Sequence, residues 1–552
     1  MFGAFAALIY LSLSPAAISV FSDSRPIDDG IARQQYGRGG TNQVFPAGGG
    51  AFNVSLLGRV TLSQFGASSG NDIWGYVSPS GREYALVGLS NKVAFVEVTD
   101  PQNPDYFASI PHSSSTWADI KVYQDFCYIV SEAVGVGIQV VDLSNIDNHQ
   151  VTLVRTITSP GRSHNITIDT VSGFIYTAGS RNGTGTTMCF SLADPSNPVQ
   201  VGAASMTTAY QHDICPKTFT SGPFSGRQIL FGNGAGRGVE IWDVTNKFAP
   251  FKVSSLSYPG VSYNHQGWLS ADGQFWYVND ELDESNHGYL TRTLVFDVSD
   301  IESPMLVNTF TSGEMSIDHN LYTHGGFIFE SNYTSGLRIF DANDNPTNPV
   351  QVGWYDTYPE NNGVSFNGTW SNYPYLPSGT MLVNDINRGL FVLDASDATV
   401  RIVNLDTFSI ERGTYVSGNQ ISMTSIDGNP YTIKAGIVLS AFEAPINLTF
   451  DGTAPWQHAS KLRFSITGWA STPGLTRTIE LFDWQADSFE TVSAIAVGTS
   501  SATTDLMLSD ADRFIQPGTR RVRARVSLKQ TGIVLGFPWA YNFDQVAWFI
   551  NP

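Results

Sequence analysis

Between residues 50 and 396 short apolar runs alternate with turns rich in Gly, Asp, Asn and Pro, and one pattern recurs. An apolar run is closed by an acidic residue and a turn: Val93 to Thr99 around Glu97, Ile138 to Ser144 around Asp142, Val239 to Thr245 around Asp243, and Leu294 to Ser299 around Asp297. Leu337 to Asp341 and Leu390 to Asp394 repeat it, and Met188 to Leu192 is a copy in which Ser191 replaces the acid. Successive closing residues lie about 44 to 54 positions apart, the repeat length of a four-stranded propeller blade. Each closing acid is expected to accept backbone N–H bonds from its turn. The Pro-bounded turns Asp100 to Pro104, Asp194 to Pro198 and Asn345 to Pro349 then feed an edge strand, where a missing N–H is tolerated.

A second signature opens the units at Trp74, Trp117, His164, His212, His265, His319 and Trp370. Seven openings and seven closings predict seven blades. The last unit lacks an outer strand, whereas residues 54–62 resemble the outer strands Pro198 to Gly202 and Pro349 to Gly353. The early strand is therefore predicted to complete the last blade and remove an open sheet edge. From about Val400 the repeat stops and alternating strands continue, among them Leu462 to Ile466, Arg520 to Val526 and Gln545 to Phe549. The predicted fold is all-β: a seven-bladed β-propeller over 51–397, followed by a C-terminal β-sandwich over 398–552. Arg520, Arg521, Arg523 and Arg525 alternate along one strand and predict a solvated basic face.

Composition narrows the partners. A formal net charge of −19 excludes nucleic acid, whose binding relies on Lys and Arg neutralising phosphates. No run reaches the roughly 18 apolar residues of a membrane span. Ala4 to Leu13 followed by Ser14-Pro15-Ala16-Ala17 reads as the core and cleavage region of a signal peptide over 1–20, although Met1-Phe2-Gly3 lacks a basic residue. Residues 21–50 read as irregular. The location that follows is secreted or cell-surface. Cys127, Cys189 and Cys215 are too few and scattered for a disulfide framework; at most one bridge is possible, and small buried residues are the plain reading.

Residues that open propeller units face the axis or its mouth. His164, His212, His265 and His319 would then form an arc on four consecutive blades and bind Zn²⁺ or another transition metal, with Asp119 and Asp213 orienting the imidazoles. The competing reading is that each His pins its blade to the next. Tyr277 to Glu284 is the densest acidic run, and Asp280, Glu281, Asp283 and Glu284 suit Ca²⁺ or else a solvated, turn-capping loop. A ligand at the channel mouth would meet Trp74, Trp117, Asp119, Asp213, Asp280, Glu281 and Trp370. Gly232 to Gly238 is Gly-rich but lies between two strands, so it predicts a hairpin rather than a phosphate loop.

Several ordered motifs carry a family resemblance. Asn71-Asp72-Ile73-Trp74-Gly75, Trp117-Ala118-Asp119-Ile120-Lys121, Ser163-His164-Asn165-Ile166, Tyr263-Asn264-His265-Gln266-Gly267 and Asp318-His319-Asn320-Leu321-Tyr322, with Asn279 to Glu284 and Phe366 to Trp370, resemble the choice-of-anchor B family over about 50–396. These are bacterial secreted or surface β-propeller proteins related to LVIVD repeats. The resemblance implies fold and export and brings no catalytic residues. The C-terminal region departs from it by showing no evident anchor. The expected function is an exported binding protein for an extracellular glycan or protein, the alternative being a metal-dependent hydrolase or oxidoreductase at the four histidines.

Overall fold

The computed structural model describes residues 50–180, 186–440, 442–531 and 537–552. The predicted signal peptide and all but the last residue of the 21–50 segment lie outside the described residues. Strand takes up 50% and helix 5%, so the protein is all-β, as alternating short runs with tight turns require. No helix among the described residues is long and apolar enough to cross a membrane.

Seven antiparallel sheets follow one another along the chain. Their first strands are Gly70–Val77, Ala118–Tyr123, Asn165–Asp169, Ile214–Thr218, Asn264–Leu269, Asn320–His324 and Thr369–Tyr373. Each of these inner strands lies against the inner strand of the next sheet, and the seventh lies against the first. Five sheets take all four strands from consecutive sequence. The sixth gains Ala51–Phe52 beside Val350–Tyr355. The seventh takes its fourth strand from the other end, Ser55–Val60 pairing antiparallel with Gly389–Asp394. Hydrophobic clusters fill the spaces between neighbouring sheets, one of them joining Val60, Leu390 and Val392 of the seventh to Val87 and Val96 of the first.

The recurring acids cap turns. Oδ1 of Asp142, Asp243, Asp297, Asp341 and Asp394 accepts the backbone N–H two residues on, at 2.8 to 3.0 Å. Ser191 Oγ accepts Ala193 N–H in the same way. Glu97, one methylene longer, instead meets His149 Nε2 at 2.9 Å.

The sheets are also joined by polar side chains that reach across to the next backbone. Ile120 N–H donates to Asp72, Ile166 N–H to Asp119, Asn165 donates to the His212 carbonyl, and His212 Nδ1 to the His265 carbonyl. Gln266 makes a two-bond amide pair with Leu321, His319 Nδ1 donates to the Trp370 carbonyl, and Asn384 donates to Gly88 and Asn71. Every junction thus carries at least one buried or half-buried bond, each contributing about 1 kcal/mol and costly to leave unmade.

Residues 401–552 form two further sheets. One pairs Ala540–Asn551 with Arg401–Val403, Tyr431–Lys434 and Lys461–Ala470; the other runs Thr407–Arg412, Ile446–Thr453, Arg521–Gln530, Leu475–Asp483, Ser488–Val497. Leu475–Asp483 and Arg521–Gln530 alternate buried and half-buried positions along most of their length. Their inward residues share one core with Phe464, Phe543 and Trp548 of the first sheet. The Arg face is not simply solvated: Arg521 and Arg523 contact Asp451, and Arg525 contacts Glu480, across neighbouring strands. The three cysteines are buried, unbonded thiols.

This region docks on the sixth and seventh sheets. Asn551 Nδ2 donates to the Ser396 carbonyl at 2.7 Å, Lys461 contacts Asp394, and Arg401 contacts Asp341 and Asp344. Gly325 and Gly326 form the tip of a hairpin with φ of +57° and +76°, the two-residue turn that glycine permits. A Cβ on Gly325 would lie 2.2 Å from Pro552 and 3.4 Å from Trp456, so glycine also permits the close approach of the C-terminal region.

Candidate functional site

The four histidines come together. Ring centroids are 4.3 Å apart for His164 and His212, 4.1 Å for His212 and His265, and 4.3 Å for His265 and His319. Trp117 lies 6.3 Å from His164 at one end, and Trp370 lies 4.9 Å from His319 at the other. The inner strands explain the arc: each His stands at or just before the start of one, and successive inner strands are neighbours. The imidazoles are only 1 to 5% exposed, so the arc is buried rather than open at a mouth.

Three of the imidazoles have their tautomer set by a neighbour. A carbonyl can only accept, so the Nδ1 bonds of His212 to His265 O (2.9 Å) and of His319 to Trp370 O (2.6 Å) place the proton on Nδ1 and leave Nε2 as the basic nitrogen. His164 Nδ1 meets Glu132 Oε1 at 2.8 Å, and an ionised carboxylate orders that ring in the same sense. The Nδ1 bonds thus pin three of the rings to a neighbouring sheet.

Two glutamates face the arc from equivalent places. Glu132 follows the second strand of the second sheet and donates its N–H to Trp117 O, while Glu281 follows the second strand of the fifth and donates to Tyr263 O, both at 3.1 Å. Glu281 Oε2 is 3.4 Å from His265 Nε2, and its Oε1 is 3.7 Å from His319 Nε2. Tyr333 O–H donates to Oε1 at 2.7 Å. Among the described residues, His265, Glu281 and His319 are the one group of three whose donor atoms all lie within 4.8 Å of one another.

The rest of the acidic run is buried too, against the expectation of a solvated loop. Asp280, Asp283 and Glu284 are at most 2% exposed, because the loop after Phe275–Asp280 folds inward under Tyr258 and Arg292. Asp280 accepts from Tyr258 O–H and from the N–H groups of Ser262 and Tyr263, and Asp283 holds Arg292 at 2.6 Å. Asp283 and Glu284 crowd each other and Asp318, and none of these acids joins Glu281 in its group with His265 and His319. Burial, with Asp280 nearby, pushes the Asp283 carboxyl up to about 7, against the pull of Arg292.

Trp74 is placed elsewhere. It lies about 10 Å along its strand from Asn71 and stacks edge-on with Tyr373 and Tyr322, with Lys121 Nζ 4.5 Å above its ring. Asp119 lies there as well, 2.5 Å from Lys121 Nζ, which also meets Asp72 at 3.3 Å. Asp213 accepts Ile214 N–H, and burial lifts its carboxyl to about 6. Asp119 therefore serves Lys121 and the Ile166 N–H, and Asp213 serves the Ile214 N–H with His164 acting on it through charge.

Sequence reasoning missed a second recess where the two regions meet. A cavity of about 270 Å³ lies over the Gly325–Gly326 hairpin, lined by Trp456, Phe327, Tyr277, Asp272, Asn343 and Thr323. Only the pairing of an isolated Trp with a glycine tip 130 residues earlier would have signalled it, and nothing local connects the two.

No family model matches the chain, and no curated protein is significantly similar to it. Solved structures give distant likenesses. U3-55K is 8% identical with a TM-score of 0.42, covering 61% of this chain and 98% of that one. The Cps50 (Swd1) β-propeller domain of Myceliophteria thermophila is 9% identical with a TM-score of 0.39, covering 59% and 96%. A functionally unknown protein from Desulfotomaculum acetoxidans is 15% identical with a TM-score of 0.39, covering 54% and 88%. At these TM-scores the likenesses carry no inference, and the description of the fold rests on this chain's own strand pairing.

Proposed function

We propose that this chain is an exported binding protein, a seven-bladed β-propeller followed by a β-sandwich, that takes an extracellular glycan in the recess at Trp456. The seven-bladed reading is supported by seven successive sheets whose inner strands neighbour one another in a cycle, and by the early strand that pairs into the last sheet. The sandwich reading is supported by two sheets that share one core. Export and surface location follow from the predicted signal peptide and from the resemblance to the choice-of-anchor B family.

The observation that carries the binding reading is the recess itself. It is concave, held between two domains, and floored by buried aromatic side chains with the half-buried Trp456 beside a few polar groups, the setting in which ligand sites occur. A sugar ring has an apolar C–H face and hydroxyl edges; the half-buried ring of Trp456 suits the first, and Asp272, Asn343 and Thr323 suit the second. The test is calorimetric titration of the full chain with a panel of neutral and acidic oligosaccharides. We expect binding by at least one, weakened tenfold or more in Trp456→Ala at a temperature where circular dichroism shows that variant still folded. A wild-type chain that binds none of the panel, or a Trp456→Ala variant that binds equally well, overturns the glycan reading and leaves a protein ligand to be sought. The enzyme alternative has one observation behind it, the His265–Glu281–His319 group, whose burial suits a held ion better than substrate turnover.

A further inference from the structure

We propose that His265, Glu281 and His319 together bind one transition-metal ion of the Zn²⁺ class. The assignment rests on distance, chemistry and the supporting shell, and it stands independently of the glycan reading.

Distance decides between direct pairing and a bridging ion. A charge-assisted N–H···O bond closes to about 2.7 to 2.9 Å, and His164 with Glu132 does so at 2.8 Å. The two contacts of Glu281 are longer, 3.4 Å to His265 Nε2 and 3.7 Å to His319 Nε2, beyond the usual range for a bond of that kind. Donor atoms that share a tetrahedral Zn²⁺ at about 2.0 to 2.1 Å stand about 3.3 Å from one another. The Glu281 spacings, one from each carboxylate oxygen, lie near that value, and one donor atom from each of the three residues lies within 4.8 Å of the others, so the same chain contains one closed Glu–His pair and one Glu–His–His group opened to the span of a metal.

Chemistry narrows the ion. Two imidazoles and one carboxylate suit zinc and its transition-metal neighbours, whereas Ca²⁺ and Mg²⁺ take oxygen ligands throughout. The His319 Nδ1–H bond to Trp370 O presents Nε2 as the ligand nitrogen. The Tyr333 hydroxyl orients the carboxylate from outside, which is how supporting residues hold metal ligands. His265 and Glu281 are positioned within one sheet, and His319 comes from the next, so the ion would tie the fifth and sixth sheets together. His164 lies outside this group, two rings along the arc.

The full-length chain, stripped with chelator and dialysed, is titrated with Zn²⁺ and with Co²⁺, whose visible absorption reports a tetrahedral site. We expect one ion per chain, a raised melting temperature with metal, and a Co²⁺ spectrum with tetrahedral intensity. Glu281→Gln, which keeps shape and removes charge, should weaken affinity by 10- to 100-fold while retaining the fold by circular dichroism. Tyr333→Phe should weaken it less, and His164→Gln should leave it unchanged. A folded wild-type chain that takes up neither ion overturns the proposal. So does a His164→Gln variant that loses as much affinity as Glu281→Gln, since binding would then belong to the whole arc. If Glu281→Gln fails to fold, Tyr333→Phe with unaltered metal affinity and an unaltered Co²⁺ spectrum counts against the assignment.

Discussion

Glu330 shows how a single buried carboxyl sets a pH dependence. It is 1% exposed, and burial pushes its carboxyl from 4.5 up to about 7 even though Thr293 and Asn332 donate to it. Between those two values the folded state holds a proton that the unfolded chain has released, so unfolding sheds protons and stability falls as pH rises. Asp283, raised to about 7, and Asp213 and Asp385, each raised to about 6, act in the same direction. The chain should therefore melt at a higher temperature near pH 5 than near pH 8. Glu330→Gln should match wild type at pH 5 and exceed it at pH 8 by on the order of 3 kcal/mol or less, as read from urea unfolding at both pH values. Equal slopes for the two proteins would refute the attribution to Glu330. At this scale the sequence was readable where the bond is local. The turn acids were recognisable because an Asp side chain reaches the N–H two residues on in any turn of that shape. The burial of Asp280, Asp283 and Glu284 was not, because four acids in five positions look solvated until Tyr258 and Arg292 are brought over them. Trp74 and Trp117 were aligned with the histidines by spacing alone, and spacing does not resolve which residue of the first strand stands where a His stands in the others: Trp74 meets Tyr373 and Tyr322 instead of the arc.

The outer strand Ser55–Val60 makes a stronger demand on its sequence than its pairing does. Gly58 sits at a register shift in the ladder with Gly389–Asp394, and a Cβ there would lie 2.4 Å from the Pro101 carbonyl and 2.8 Å from Pro104 Cδ. Those prolines belong to the turn between the third and fourth strands of the first sheet, so Gly58 is where the seventh sheet meets the first. Backbone cannot yield as a side-chain tip can, and overpacking of this kind costs about 1 to 3 kcal/mol. Gly58→Ala should lower the urea midpoint accordingly. Gly236→Ala, whose nearest neighbour would be 3.9 Å away, should change it by less than about 0.5 kcal/mol. Equal midpoints for Gly58→Ala and wild type would show that the two sheets do not depend on this contact. Here the element was legible and its neighbour was not. The apolar alternation of residues 54–62 marks a strand, and likeness to other outer strands marks its place, but the second short strand Ala51–Phe52 has too few residues to show a period at all.

Across the whole molecule the seven sheets and the C-terminal pair of sheets meet through polar bonds beside apolar contacts of Trp456 and Pro552 with the Gly325 hairpin. The ion pairs of Arg401 and Lys461 are partly exposed, and such pairs contribute about 0 to 1 kcal/mol each. Asn551 differs in being 6% exposed, with its amide donating to Ser396 O and Thr399 Oγ1. It lies on the last strand of the C-terminal region, and its partners lie on the short helix Ser396–Thr399 that follows the seventh sheet. Truncating it leaves the half-buried Ser396 carbonyl without its amide donor, at a cost of about 1 kcal/mol, and places that cost at the junction rather than in either core. Nothing in a linear sequence marks Asn551 for this role, since 152 residues separate it from Thr399. The expected result is specific in location. Asn551→Ala should accelerate amide exchange in Ser396–Thr399 and Ala540–Asn551 and split one thermal transition into two, whereas Arg401→Ala should leave a single transition shifted by less than about 1 kcal/mol. Because Trp456 and the Gly325 hairpin come from opposite sides of the same junction, Asn551→Ala should also weaken any ligand held in the recess between them. A variant that melts in one step with unchanged exchange at Ser396–Thr399 would mean that the two regions are held by their apolar contacts alone.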